Sequence, residues 1–148
     1  PDDQGYPIRG MIRGDYLYLK NFETERWPAG NPETGYMNVD GSPTKTEVLK
    51  AKHNKETAYY WQLSFGKRKA EELYNMVNLA EMPEYETLKR KLEKEMTLRL
   101  VEQEDPRMFG RGGLFDKYPD MSPAHQFWNR TEAGEKVRSG WVNPTDFQ

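Results

Sequence analysis

Alternation of apolar and polar residues is sharpest over residues 7–22. Ile8 and Ile12 alternate with Arg9 and Arg13, Gly14-Asp15 interrupts, and Tyr16-Leu17-Tyr18-Leu19 follows. A period of two reads as β-strand, and a Gly-first two-residue loop between two such runs suits a type II′ hairpin turn. That turn sets the register: Arg13 faces Tyr16, Ile12 faces Leu17, Met11 faces Tyr18 and Arg9 faces Lys20. One face then carries Ile8, Ile12, Leu17 and Leu19 and is expected to be the core face. The other carries Arg9, Arg13, Tyr16, Tyr18 and Lys20.

The pattern changes period over residues 83–102, where Tyr85, Leu88, Leu92, Met96 and Leu100 fall on one slowly drifting stripe. Such spacing predicts a helix whose stripe is buried. Pro83 suits the first helical position, and Glu84 and Glu86 favour the positive end of the dipole. Glu86–Arg90 and Glu95–Arg99 are i,i+4 pairs of helpful polarity. Asp105-Pro106 ends the helix, because the residue before proline avoids helical backbone.

Elsewhere periodicity is weak. Residues 23–57 hold Pro28, Gly30, Pro32, Gly35, Gly41 and Pro43, so the whole stretch to residue 70 reads as an irregular excursion. A short helix within residues 46–60 is its one regular feature. Long stretches of this kind are functional or lie against another surface. Glu71-Glu72-Leu73-Tyr74 reads as a short strand, with a loop reaching residue 80. Residues 103–148 form an irregular tail punctuated by Gly110-Arg111-Gly112-Gly113, Pro119, Pro123, Gly134, Gly140 and Pro144. Its aromatics (Phe109, Phe115, Tyr118, Phe127, Trp128, Trp141 and Phe147) are expected to pin it to a surface. There is no internal repeat.

Composition sharpens this picture. The 148 residues suit one domain, but only 35% are hydrophobic, and nine of those are tyrosines. Mean hydropathy is -1.04, yet four Trp, nine Tyr and six Phe argue against simple disorder. An ordered piece that completes its core against other polypeptide fits both facts. The 22 basic and 24 acidic residues give a net charge of -2, so no basic field points to nucleic acid. No apolar run approaches membrane-spanning length, and no signal peptide opens the chain. Pro1-Asp2-Asp3-Gln4-Gly5 reads as a cut within a longer protein.

Candidate chemistry is sparse. Cys is absent, and His53 and His125 stand alone, too few for a zinc centre. Gly110-Arg111-Gly112-Gly113 lacks the preceding strand and following helix of a phosphate cradle and reads as a turn. Lys67-Arg68-Lys69 reads as a solvated loop. Ser42 and Ser64 have no His/Asp partnership, and no G-x-S-x-G turn exists. Arg9 opposite Lys20 and near Arg13 puts like charges across a strand pair, which requires compensation. The expected source is a carboxylate from other polypeptide; an anionic substrate group is the sharper alternative. Asp40-Gly41-Ser42-Pro43-Thr44-Lys45-Thr46 clusters hydroxyls and one ammonium, which can bind a sugar or sulfate. It also describes an ordinary turn leading into a helix, the reading that composition alone favours.

Taken together, several of these segments resemble one family. Tyr6-Pro7-Ile8-Arg9-Gly10-Met11-Ile12-Arg13-Gly14-Asp15-Tyr16-Leu17-Tyr18 resembles the hairpin that opens the smaller C-terminal subdomain of type I sulfatases, in the alkaline phosphatase superfamily. Glu71-Glu72-Leu73-Tyr74-Asn75, Asn78-Leu79-Ala80 and Pro83-Glu84-Tyr85 resemble that family's E-L-Y, N-L-A and final-helix segments. Asp40-Gly41-Ser42-Pro43-Thr44-Lys45, Asp105-Pro106-Arg107 and Phe115-Asp116-Lys117-Tyr118-Pro119 resemble its heparan N-sulfatase branch, above all the bacterial members. The likeness spans nearly the whole chain.

The resemblance implies an α+β fold: a small antiparallel β-sheet with one long helix packed on it and long irregular loops, docked beside a larger α/β catalytic domain. It implies hydrolysis of sulfate esters or sulfamates of sulfated glycans through a covalent sulfated intermediate. The cofactors would be calcium and a formylglycine made from Cys or Ser in a C/S-x-P-x-R motif. That motif is missing here, since Pro43 directly follows Ser42 and no arginine stands in place. Catalytic residues and metal ligands are therefore expected in the catalytic domain upstream, this chain's partner within one polypeptide. The chain alone is expected to be inactive and to wall the substrate pocket, with Ser42, Thr44, Lys45 and His53 as substrate-contacting candidates. Nucleic acid and membrane are not expected partners, and a periplasmic or secreted location follows from the resemblance. Family members carry further acidic and proline residues between Leu-Tyr and Asn-Leu-Ala, where only Asn75-Met76-Val77 stand here. Either that loop is deleted here or residues are missing from the stretch, and the second is the favoured reading. The alternatives are a non-catalytic carbohydrate-binding module and the same part of a related phosphoesterase.

Overall fold

The computed structural model describes residues 7–118, 126–137 and 140–148, so His125, Pro119, Pro123 and the first six residues lie outside the described part. The chain is α+β and divides into two compact units. One holds residues 7–24 and 69–117; the other holds residues 25–68 and the described residues from 118 onward.

The first unit is a sheet covered by a helix. Strands β1 (Ile8–Arg13), β2 (Tyr16–Asn21), β3 (Glu71–Asn75) and the two-residue β4 (Val77–Asn78) run antiparallel in that order. The hairpin register is the one the sequence predicts, from Arg13 opposite Tyr16 to Arg9 opposite Lys20. Gly14 has φ 58° while Asp15 is not in the left-handed region, which fits the expected type II′ turn rather than type I′. The E-L-Y segment forms β3 and pairs with β2, Leu73 opposite Tyr18.

The predicted helix follows: a 3₁₀ turn at Pro83–Tyr85 leads into α3 (Glu86–Glu102). Its stripe buries Leu92, Met96 and Leu100, with Tyr85 and Leu88 packed alongside. At its C-terminus the Asp105 N–H donates to the Leu100 carbonyl and the Glu104 N–H to that of Val101. Those two bonds make a Schellman motif with Glu104, φ 55°, in the left-handed position usually held by glycine.

The buried sheet face is the reverse of the expected one. Tyr18 and Leu73 are fully buried against α3, with Met11 and Tyr16 packed around them, whereas Ile12 is 77% exposed. Two physical reasons decide this. Aromatic rings bring more apolar area than Ile or Leu, and the Tyr18 hydroxyl keeps a partner by donating to Glu71 Oε1 at 2.6 Å. Burial, followed by that hydrogen bond, pushes the Tyr18 phenol well above its ordinary pKa.

The carboxylates on and just beyond α3 also match the basic rim of this face. Lys20 Nζ lies 2.6 Å from Glu93, Arg9 Nε lies 2.7 Å from Asp105, and Arg13 Nε lies 3.8 Å from Glu95. The like charges of the hairpin are thus compensated from within this chain, not by a carboxylate from elsewhere.

The second unit replaces much of the expected irregular excursion with helices α1 (Pro43–Ala51) and α2 (Ala58–Phe65). Tyr36 is fully buried there, against the edge of Trp27 and 4.8 Å from the Phe65 ring, with Leu49 in the same cluster. The tail adds α4 (Phe127–Glu132), whose Phe127 packs with Met37. The Trp141 indole N–H donates to the Met37 carbonyl at 2.8 Å. So Phe127 and Trp141 anchor the tail as expected, but Phe109, Tyr118 and Phe147 are 50%, 58% and 43% exposed. None of the described helices is long and apolar enough to cross a membrane.

Candidate functional site

The four candidate residues lie on or next to α1, and the local sequence explains where each goes. Ser42 is extended and its Oγ accepts from the Lys45 backbone N–H at 3.1 Å, while Pro43 takes the first helical position. This is an N-cap followed by an N1 proline, the strongest start signal a helix can carry. Asp40-Gly41-Ser42-Pro43-Thr44-Lys45-Thr46 is therefore a turn entering a helix, and the Ser42 hydroxyl is used structurally.

Lys45 points inward. Its ammonium donates to the carbonyls of Gly35, Tyr36 and Val39 at 2.8, 3.2 and 2.7 Å, and lies 3.1 Å from Asp146 Oδ2. The lysine and aspartate side chains are 1% and 0% exposed. Oδ2 of Asp146 also accepts from the Asn143 backbone N–H. The ammonium expected to meet a substrate is instead a clasp joining residues 35–39, α1 and the tail.

Thr44 and His53 are exposed but do not converge. Thr44 lines a shallow cleft of about 390 Å³ with Val48, Asn54, Thr57 and Tyr60. His53 lines another, of about 440 Å³, with Thr46, Lys50, Lys52, Thr145 and Phe147. Lys52 Nζ donates to Gln148 Oε1 at 3.0 Å and sits 4.8 Å from the Trp61 ring centre. Among the described residues no Asp or Glu side chain lines this second cleft. Thr145, Phe147 and Gln148 could not be assigned to it from sequence, because nothing in the spacing brings the tail beside α1.

No group of three His, Asp or Glu side chains able to hold a metal occurs among the described residues. Residues 110–113 form turns, with Gly110 at φ 69° and a 3₁₀ segment from Gly112 onward. Asp105 and Arg107 just before them do have a defined role. Asp105 Oδ1 accepts from the Arg107 N–H at 2.9 Å, and the Arg107 guanidinium lies 4.2 Å from the Phe115 ring centre. Comparison with known proteins adds nothing further: no family model, no curated protein and no solved structure matches the chain.

Proposed function

We propose that this chain is the C-terminal part of a type I sulfatase that hydrolyses sulfate esters or sulfamates of sulfated glycans. Its role is to brace the catalytic domain and border the substrate pocket. The observation that supports the reading is an architecture carried by the resembling segments themselves. The hairpin of residues 7–22 forms β1 and β2, the E-L-Y segment forms β3, and the final helix covers one face of that antiparallel sheet. The other face carries Ile12 at 77% exposure, with half-buried Leu17 and Leu19 beside it. An exposed isoleucine flanked by leucines is a surface suited to docking on the catalytic domain.

No step of the hydrolysis falls to a residue of this chain. Calcium and formylglycine belong to the proposed upstream domain, which would supply the nucleophile and the electrophilic assistance. A second reading, a carbohydrate-binding module, draws on Tyr59 and Tyr60 of α2. Their rings lie 4.1 Å apart, and both are about half exposed, a platform on which a sugar ring could stack.

Turnover separates the two. The purified 148-residue chain, supplied with calcium, should hydrolyse neither 4-nitrophenyl sulfate nor N-sulfoglucosamine, and the polypeptide that includes the upstream sequence should hydrolyse at least one. Turnover by the chain alone would overturn the division of labour. Loss of all sulfatase activity from the longer protein, with sugar binding retained, would favour the module.

A further inference from the structure

We propose that the cleft between the C-terminal end of α1 and the tail binds a hexose carrying a tetrahedral oxyanion, a sulfate or phosphate ester. The inference deepens the sulfatase reading by assigning it a sugar subsite, and rests on that reading only for the choice of hexosamine probes.

Three observations converge. Lys50, Lys52 and His53 reach this cleft from a single turn of chain, and no Asp or Glu side chain lines it among the described residues. A cation near a helix C-terminus is ordinary, because the dipole favours it. That accounts for Lys50, which is also paired with Glu47 at 2.8 Å. Lys52, the C-cap residue of α1, and His53 just after it stand at the same helix end, but neither pairs with an Asp or Glu side chain among the described residues.

Lys52 is already oriented by neutral partners. The Gln148 amide oxygen accepts from it and the Trp61 ring lies beneath it, so its positive charge is positioned without being neutralised. An arriving oxyanion would gain a charge-assisted hydrogen bond without first breaking an ion pair.

The remaining lining suits a sugar rather than a bare anion. Thr46 and Thr145 offer hydroxyls that can donate or accept, and the exposed Phe147 ring offers an apolar wall for the C–H face of a pyranose. At about 440 Å³ the cleft has room for one monosaccharide, within the range of small-molecule sites.

The test is an NMR titration of the 148-residue chain with glucosamine 6-sulfate, glucose 6-phosphate, N-acetylglucosamine and inorganic sulfate. The anionic hexoses should shift the amides of Lys52, His53, Thr145 and Phe147, and saturation transfer from Phe147 should reach the ligand. N-acetylglucosamine should leave the amides in place, and inorganic sulfate should bind more weakly than either ester. Lys52→Gln should weaken binding about tenfold, the equivalent of one charge-assisted hydrogen bond. Lys67→Gln, which removes an exposed pair with Glu25, should leave it unchanged. Preference for the sulfate ester would support both the cleft and a sulfated substrate. Preference for the phosphate ester would support the cleft and count against the sulfatase reading. Absence of shifts at the cleft, tighter binding of free sulfate than of either ester, or Lys52→Gln binding as the parent does would overturn the inference. None of these three results bears on whether the longer protein is a sulfatase.

Discussion

Lys45 Nζ stands 3.1 Å from Asp146 Oδ2, with both side chains almost wholly out of water. The pair ties the start of α1 to the 3₁₀ turn at Pro144–Asp146. The lysine also donates to three backbone carbonyls, one of which, that of Tyr36, accepts from the Val39 N–H as well. Removing one partner of such a pair strands a buried charge, which costs more than the pair itself contributes.

Lys45→Met should therefore destabilise the chain by about 3–5 kcal/mol in urea unfolding, the range for a broken buried ion pair. Asp146→Leu alone should be of similar size. The double variant should cost clearly less than the sum of the two, because no isolated charge remains. Additive losses would show that the two groups are not coupled in the folded chain.

A second expectation concerns acid. The Lys20 hydrogen bond holds the Glu93 carboxyl below the usual carboxylate range. In Asp105 burial acts to raise the pKa, but the Arg107 N–H and the Arg9 guanidinium outweigh it and the net shift is downward. A carboxyl depressed in the folded state contributes stability that is complete above its unfolded pKa, about 4. That contribution is lost as pH falls through the lower folded value. Stability measured by urea unfolding should thus hold between pH 7 and 5 and fall below about pH 4. Arg9→Gln should lower the neutral-pH plateau by about 1–2 kcal/mol and flatten the acid fall. An unchanged acid profile in that variant would remove Asp105 from the account.

A third concerns backbone strain. Asn75 and Val77 pair across Met76, which is 99% exposed and has φ 65°. The short spacing between Leu-Tyr and Asn-Leu-Ala is closed here by a single left-handed residue. A methionine in that region costs about 1 kcal/mol, whereas asparagine tolerates it. Its side chain touches nothing that would be lost. Met76→Asn should raise stability by about 0.5–1 kcal/mol, read as a higher urea midpoint. A lower midpoint would mean that the β3–β4 turn is built differently.

What the sequence disclosed depended on how local the signal was. Gly14-Asp15 sets the hairpin register within two residues, and the Leu92, Met96, Leu100 stripe repeats over three turns, so both elements were legible. The buried face is not, because counting Ile and Leu favours one side, while the Tyr18 hydroxyl's partner Glu71 and the rim carboxylates Glu93, Glu95 and Asp105 lie far along the chain. One short helix is expected within residues 46–60, whereas the chain forms two, α1 and α2, whose bounds are hidden for different reasons. PTKTEVLKA offers only Val48 and Leu49 as large apolar anchors, and AYYWQLSF is apolar nearly all round, so neither shows a stripe. Of the candidate site, Ser42 was readable as a helix start. The inward turn of Lys45 was not, since its partners are backbone carbonyls and Asp146. His53 was selected without the tail residues that make its cleft.

The central claim, that this chain serves a formylglycine-dependent sulfatase, is tested most directly by mass spectrometry of the mature polypeptide that contains it. A proteolytic peptide upstream of Pro1 should be found in which the Cys or Ser of a C/S-x-P-x-R motif has become formylglycine. A mature protein whose complete sequence carries no such motif would contradict it.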